Sequence, residues 1–339
     1  MMGISSQYQN KRWIIKIGKS LLRMVVLLGL VSLGAFLLVS ASPMDPLQTN
    51  IGQVALGSMS QEQIERLNEY WGVGVPPLKR FIFWGKDLIR GDMGISLLYR
   101  QPVSQVIRVK LGNSLWMLGM SWVISGVLGF LLGIAAGIKK GSVWDRIISA
   151  WILVTASMPA FWLALVLLMI FSVWLKLLPM GLSVPAGVEA SDVTLKGRML
   201  HAVLPAATLS LTGCSTIAMH TREKLTEVME SDYVLFARAR GETTGRIVRR
   251  HGIRNILLPA VTLQFASVSE IFGGSVLVEQ VFSYPGLGQA AVTAGLGGDV
   301  PLLMGITVIT AAIVCAGNLA ADSLYVLIDP RIRRGRRET

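Results

Sequence analysis

Few side chains in this sequence could do covalent chemistry, and those few do not stand at spacings that such chemistry needs. Gly18-Lys19-Ser20 has the ending of a phosphate-binding loop, but Trp13 occupies the place of that motif's first glycine. No strand–turn–helix setting surrounds it either, so the chain is not expected to hold ATP itself. His201, His220 and His251 are too scattered to share a metal, and Cys214 and Cys315 lie inside separate apolar runs, where they pack as small hydrophobes. Arg90-Gly91-Asp92 spells an adhesion tripeptide, and three residues carry no weight alone. Three carboxylates are sharper leads: Glu270, Glu279 and Asp322 all fall within apolar runs. An ionised group in hydrocarbon costs about 2.5–3.5 kcal/mol on insertion scales. Such a group either lines a polar path, where it meets or gates a substrate, or bonds a neighbouring helix.

One stretch, between two apolar runs, is of another kind. Ser231 and Asp232 are good first-turn caps, because their side-chain oxygens can accept from free backbone N–H groups. Tyr233, Phe236, Ala237 and Arg240 follow at three- and four-residue spacings and are expected to form one compact face. Gly241 is placed to end the helix in a left-handed turn. A short cationic helix with an aromatic face fits a groove on another protein; a solvated connector is the plainer reading of the same residues.

The elements that must carry these residues follow from composition. Of 339 residues, 52% are hydrophobic and 15% charged, and the mean hydropathy is +0.57; together these place the chain among multi-span membrane proteins. Apolar runs occur at residues 21–41, 113–138, 147–175, 202–219, 257–281 and 302–327. Each is long enough to cross a bilayer as a helix that satisfies its own backbone. The first could be taken for a signal peptide, with Val39-Ser40-Ala41 as cleavage site, but it exceeds the usual apolar core of such peptides and reads as a retained span. Gly126, Gly129, Gly133 and Gly137 give the second run a close-packing face, and Pro159 should kink the third. The net charge of +12 comes from Lys and Arg between spans, with no basic domain to bind nucleic acid. Lys11 to Lys19, Lys139-Lys140, Arg238 to Arg254 and the tail Arg331 to Arg337 all fall on one side if the N-terminus is cytoplasmic, and residues 282–300 on the other side lack Lys and Arg. Both termini are therefore expected inside.

The run Asp232-Tyr233-Val234, Ala237-Arg238-Ala239-Arg240-Gly241, Arg249-Arg250-His251, Arg254-Asn255 and Leu258-Pro259 resembles the cytoplasmic coupling loop of binding-protein-dependent ABC importer permeases of the dipeptide, oligopeptide and nickel type. That loop typically reads ARAKG, then HxxRNxxxP; Arg240 stands here for the lysine. Gly91-Asp92-Met93-Gly94-Ile95-Ser96 is similar to the family's GDLGxS, and Ser42-Pro43-Met44-Asp45-Pro46 loosely to its PGDP. Pro159, Phe161 and Trp162 match a further stretch, and Val278 to Gly288 resembles VExVFxxPGLG.

The resemblance implies an all-α membrane protein with six transmembrane helices of the MetI-like type and a cytoplasmic coupling helix. It implies a cytoplasmic segment at 1–20, a first span at 21–42, an extracytoplasmic segment at 43–112, a five-helix core at 113–328 with coupling loop 223–257, and a basic tail at 329–339. The chain would be half of a pore in a prokaryotic inner membrane, paired with a homologous permease, two cytoplasmic ATPases and an extracytoplasmic binding protein. ATP and Mg would be used by the ATPases, with no cofactor on this chain. Asp232, Tyr233, Phe236, Ala237, Arg238, Ala239, Arg240 and Gly241 would dock, Arg246 to Arg254 would hold that helix, and Pro259 would restart the fifth span. Glu270, where the family usually has an apolar residue, Glu279, and the turn Tyr284-Pro285-Gly286 are candidates for substrate path or outer gate. Asp322 and Asp329 are expected to be structural. Peptides, nickel and metal chelates all remain open as cargo. An ATP-independent channel or secondary transporter is the alternative, and a membrane-embedded enzyme a weaker one.

Overall fold

The computed structural model describes residues 2–41, 59–63, 65–66, 75–182 and 194–328. The Ser42–Pro46 stretch, Asp329, the tail arginines and the side chain of Asp322 lie outside what is described. Among the described residues every regular element is a helix, apart from an isolated bridge between Ile95 and Pro102. The chain divides into two compact units, Met1–Leu111 with Ala290–Ala316, and Gly112–Gln289 with Gly317–Thr339.

In the first unit, α1 (Met2–Ser40) is one unbroken helix whose apolar part is Leu22–Ser40. A short helix, α2 (Pro77–Ile89), starts on a proline in its first turn, where the missing N–H costs nothing. It lies along α1 through the Phe36 and Phe81 rings, whose centroids are 5.6 Å apart. The chain then turns at Gly91 and Gly94, both with positive φ. The start of α3 (Val103–Gly137) and of α12 (Val300–Ile328) pack at Gly305, where a Cβ would lie 2.7 Å from Val103. Asp299, buried, caps α12 by accepting from the Leu302 N–H at 3.1 Å. Its other oxygen accepts from Ser96 Oγ at 2.5 Å and the Leu98 N–H at 3.0 Å. One carboxylate therefore ties the turn after α2 to the first turn of α12. Nothing in the local sequence marks Asp299 for this role, since Ser96 and Leu98 lie some two hundred residues away.

The second unit holds the rest of α3, then α4 (Val143–Ser157), α5 (Ala160–Leu167, running into a π-helical turn Leu168–Trp174), α6 (Leu195–Met229), α7 (Asp232–Ala239), α8 (Thr244–Ile247, with a π-helical turn Val248–Gly252), α9 (Ile253–Ala266) and α10 (Val268–Val281). α11 (Leu287–Leu296) begins in this unit. The glycine face of α3 packs on α6 within the chain: a Cβ on Gly129 would come within 2.7 Å of the Cys214 carbonyl, and one on Gly133 within 2.5 Å of Thr221 Cβ.

Among the described residues four helices are long and apolar enough to span a membrane, and two bent pairs bring the number to six if each pair is one span. Pro159 does more than kink its span. The residue before a proline is pushed out of the helical region, and Met158 is extended, with ψ 129°, so α4 and α5 meet at 108°. The fifth span bends by 46° between α9 and α10. Pro259 sits inside α9 instead of restarting a helix there, because the helix is already running from Ile253.

Candidate functional site

The segment between α6 and α9 is a folded corner rather than a solvated strap. Val234 and Ala237 of α7 are buried, in a cluster with Leu225, Val228 and Met229 of α6 and Ile247, Val248 and Ile256 beyond the turn. Phe130, Ile134 and Ile138 of α3 close it from the side. Four elements of the second unit, α3, α6, α8 and α9, thus hold α7 by apolar burial, at roughly 1.5–3 kcal/mol per large side chain. Gly252 is part of the fit, since a Cβ there would lie 2.9 Å from Leu225.

Ala237 therefore belongs to the inward face with Val234, not to the face of Tyr233, Phe236 and Arg240, which are exposed. Its spacing from Tyr233 and Phe236 points to their face, but Ala237 lies between the two stripes and turns inward. Leu235 is also exposed, at 65%, and Phe236 at 72%. Two apolar side chains thus stand in the open on a helix only eight residues long, flanked by Arg238 and Arg240. Ala239 and Asp232 are exposed as well. Ser231 occupies the cap position, but its hydroxyl donates to the Val228 carbonyl at 2.5 Å instead of accepting from the helix. Gly241 adopts φ +81° as its place required, and the Glu242 N–H returns to the Ala237 carbonyl at 3.1 Å.

Arg246, Arg249, Arg250 and Arg254 are exposed and do not clamp α7. That work falls to Ile247, Val248 and Ile256 between them. His251 tilts against Tyr233, ring centroids 5.8 Å apart, and its carbonyl accepts from Asn255 Nδ2. Beside the corner, Arg222 of α6 grips Asp145 of α4 with two donors, Nε at 2.5 Å and a terminal nitrogen at 2.9 Å. Gly141 N–H and Ser149 Oγ donate to the same carboxylate. The pair has no sequence signal of its own, although Ser142-Val143-Trp144-Asp145 reads as a helix start, and Asp145 N–H does donate to Ser142 Oγ.

The carboxylates singled out earlier separate. Glu279 is fully buried near the end of α10. It accepts from Ser114 Oγ of α3 at 2.7 Å and from the Gln289 N–H of α11 at 2.9 Å. Ser114 Oγ in turn accepts from the Leu287 N–H at 2.7 Å. A Cβ on Gly286 would sit 2.3 Å from the Glu279 carboxyl carbon, so a larger residue there would push that carboxylate off its partners. Tyr284 is buried and donates to the Asn113 carbonyl, while the Pro285 carbonyl accepts from Asn113 Nδ2. The turn is folded into the protein and offers little surface for docking. Glu270 is different: it is exposed in the first turn of α10, beside the bend after α9.

Residues 129–334 match the family described as binding-protein-dependent transport system inner membrane component. The chain belongs to this family. It is similar to the oligopeptide transport system permease protein AppB of Bacillus subtilis, with 33% identity over 93% of this chain and 98% of the relative. A Brucella abortus relative named for a peptide transport system permease is 33% identical over 90% of this chain and 94% of its own length. A Sinorhizobium fredii relative named for a peptide ABC transporter permease is 28% identical over 93% and 98%. Among solved structures, the MetNI methionine ABC transporter, in inward facing conformations, superposes with a TM-score of 0.55 at 18% identity, over 67% of this chain and 97% of that one. That likeness is one of fold, and it agrees with an all-α permease of the MetI-like type. This permease is a pore-forming membrane subunit of an ABC importer, in which ATP hydrolysis is carried by separate subunits and not by the permease.

Proposed function

We propose that this permease carries peptides, and that α7 is the point at which ATPase movement enters the membrane part. The peptide reading is supported by the relatives, which are named for peptide or oligopeptide transport and match nearly end to end. Nickel and metal chelates, open on sequence, have no support of that kind. The coupling reading rests on one observation above all: an eight-residue helix buries Val234 and Ala237 in a rigid apolar corner and leaves Leu235 and Phe236 bare between arginines. A large apolar side chain so exposed, on so well-anchored a helix, fits a partner's groove.

In this reading two ATPases bind ATP and Mg, and their closure pushes α7. Because α7 shares a core with α3, α6 and α9, the push moves helices as bodies instead of bending a loop. ATP can favour one pore state only by binding it more tightly, so stiffness decides how much of that preference reaches the pore. Tyr233, Phe236, Arg238 and Arg240 would meet the ATPase, with Leu235 added. Glu270 would face the path, where its departure from the family's usual apolar residue could weigh on selectivity. Glu279, Tyr284, Pro285 and Gly286 would brace an outer gate and not contact cargo. A second homologous permease would complete the pore, an extracytoplasmic binding protein would deliver the peptide, and both termini would lie in the cytoplasm.

The test is uptake of a labelled oligopeptide into proteoliposomes containing the permease pair, the ATPases and the binding protein. Phe236→Asp should leave the protein folded, since the side chain is exposed, and should cut ATP-driven uptake roughly tenfold or more, as removal of an interface anchor does. Unchanged uptake would refute the docking assignment. Uptake of a nickel chelate with no peptide uptake would refute the cargo.

A further inference from the structure

The outward side of α2 has no use in the transport reading. No side chain of this helix is fully buried, although most are apolar. Arg80, Phe81, Trp84 and Leu88 are half-buried and form its packed face, on which Phe81 and the Arg80 guanidinium meet the Phe36 ring of α1. At 3.6 residues per turn, Leu78, Ile82 and Ile89 fall within about 40° of one another beside that face. All three stand exposed among the described residues, Ile89 at 88%. Lys79, Lys86 and Arg90, also exposed, form a second stripe roughly 80° further round, on the side away from the packed face. Phe83 borders that stripe in the open, with the Lys86 ammonium over its ring, 5.9 Å from the centroid. Against these cations and Arg80, α2 carries a single acidic residue, Asp87, which lies 3.9 Å from Arg90.

The place of α2 decides what covers the apolar stripe. Phe36 stands four residues before Ser40, the last residue of the apolar part of α1. It is therefore about 6 Å from the end of that span, and α2 sits at the depth where hydrocarbon gives way to headgroups. Leu37 and Leu38 of α1, exposed at the same level, continue the apolar surface. We propose that α2 binds the surface of an anionic bilayer, with Leu78, Ile82 and Ile89 in the acyl boundary and Lys79, Lys86 and Arg90 among the lipid phosphates. An apolar stripe flanked by basic residues is the pattern of helices that lie on a membrane. Long basic side chains keep their stems on the apolar surface and their charges in the headgroup layer. Aliphatic side chains make no directional bond, which suits acyl chains better than the groove of a partner protein. The excess of positive charge favours anionic over neutral headgroups. The placement holds whichever compartment that end of α1 faces, and whatever the cargo.

Hydrogen–deuterium exchange on the full chain in lipid nanodiscs tests it. Segment 77–90 should exchange roughly tenfold more slowly in phosphatidylglycerol discs than in phosphatidylcholine discs, as attraction of several basic residues to an anionic surface demands. Segment 268–281, in α10, should exchange equally in both. Spin labels on Ile82→Cys and Ile89→Cys, with Cys214 and Cys315 replaced by Ala, should be relaxed by dissolved oxygen and shielded from chromium oxalate. A label on Asp87→Cys, across the helix, should show the reverse. Lys79→Gln combined with Lys86→Gln should remove most of the phosphatidylglycerol effect. Equal exchange of segment 77–90 in the two discs, or slowing shared by both segments, would overturn the proposal. So would labels at 82 and 89 that chromium oxalate reaches. Labels reached by neither reagent would put a protein surface on the stripe, such as a second copy of the chain, and would overturn it as well. Exchange on the unaltered chain needs no variant to fold.

Discussion

Glu279 and Asp145 show what a carboxylate needs in order to persist inside an oily chain. Each accepts from donors on more than one element, so the cost of leaving water is offset by bonds that also fix geometry. At Glu279, replacement by Gln keeps the shape but turns one acceptor oxygen into a donor facing Ser114 Oγ or the Gln289 N–H. The expected loss is about 1–3 kcal/mol, read as a lower thermal midpoint of the purified permease in detergent. A midpoint equal to the unaltered protein would mean that the carboxylate is not the pin described above. At Arg222 the neighbouring comparison is sharper. Arg222→Ala leaves a buried carboxylate with only the Gly141 N–H and Ser149 Oγ as donors and should cost about 1–3 kcal/mol. Arg222→Lys keeps the charge but lacks the two-pronged geometry, and should recover only part of that loss. Equal midpoints for the two would show that charge alone matters there.

At the scale of helices, the glycines of α3 bear most on how the second unit packs. Gly133→Ala would place a methyl against Thr221 and 2.7 Å from the Ala218 carbonyl, which is backbone and cannot step aside. Overpacking of this kind costs about 1–3 kcal/mol. Gly119→Ala, on the same helix with open space around it, should be close to neutral. A stability difference between these two variants, measured side by side, checks that α3 and α6 touch where described. These four-residue glycine steps were legible in the sequence, as were the apolar runs and the turn at Gly241, because each depends on local pattern. What faced the glycines was not legible, because the same pattern serves any close-packed surface. The sharp turn at Pro159 exceeded what the proline alone implied, since its angle is set by the packing of α5 on α6 and α10. Asp299 and Asp145 were missed for a related reason: their donors lie far along the chain or beyond a turn, and only folding brings them together. Ala237 was assigned to the wrong side because a small residue between two stripes gives no hydrophobic signal of its own.

Considered as one molecule in a membrane, the chain works in the proposed way only if α7 and the turn at Ser283 open to opposite compartments. Charge distribution argues for this: the segment around α7 is rich in arginine, while residues 282–300 contain no Lys or Arg. The two native thiols are easily set aside, since Cys214 is buried and Cys315 partly so, and both can be replaced by Ala. On that background, Leu235→Cys puts a thiol on the exposed face of α7, and Ser283→Cys puts one at the exposed tip of the opposite turn. A membrane-impermeant maleimide should label Cys at position 235 in inside-out vesicles and not in intact spheroplasts, and Cys at 283 in the reverse pattern. If the ATPases dock on α7, adding them to inside-out vesicles should also slow labelling at 235, because an interface anchor is withdrawn from water once bound. Labelling of 235 from outside would invert the topology and remove any route from cytoplasmic ATP to this helix. Inside labelling unaffected by the ATPases would leave the orientation standing and place their contact elsewhere on the permease.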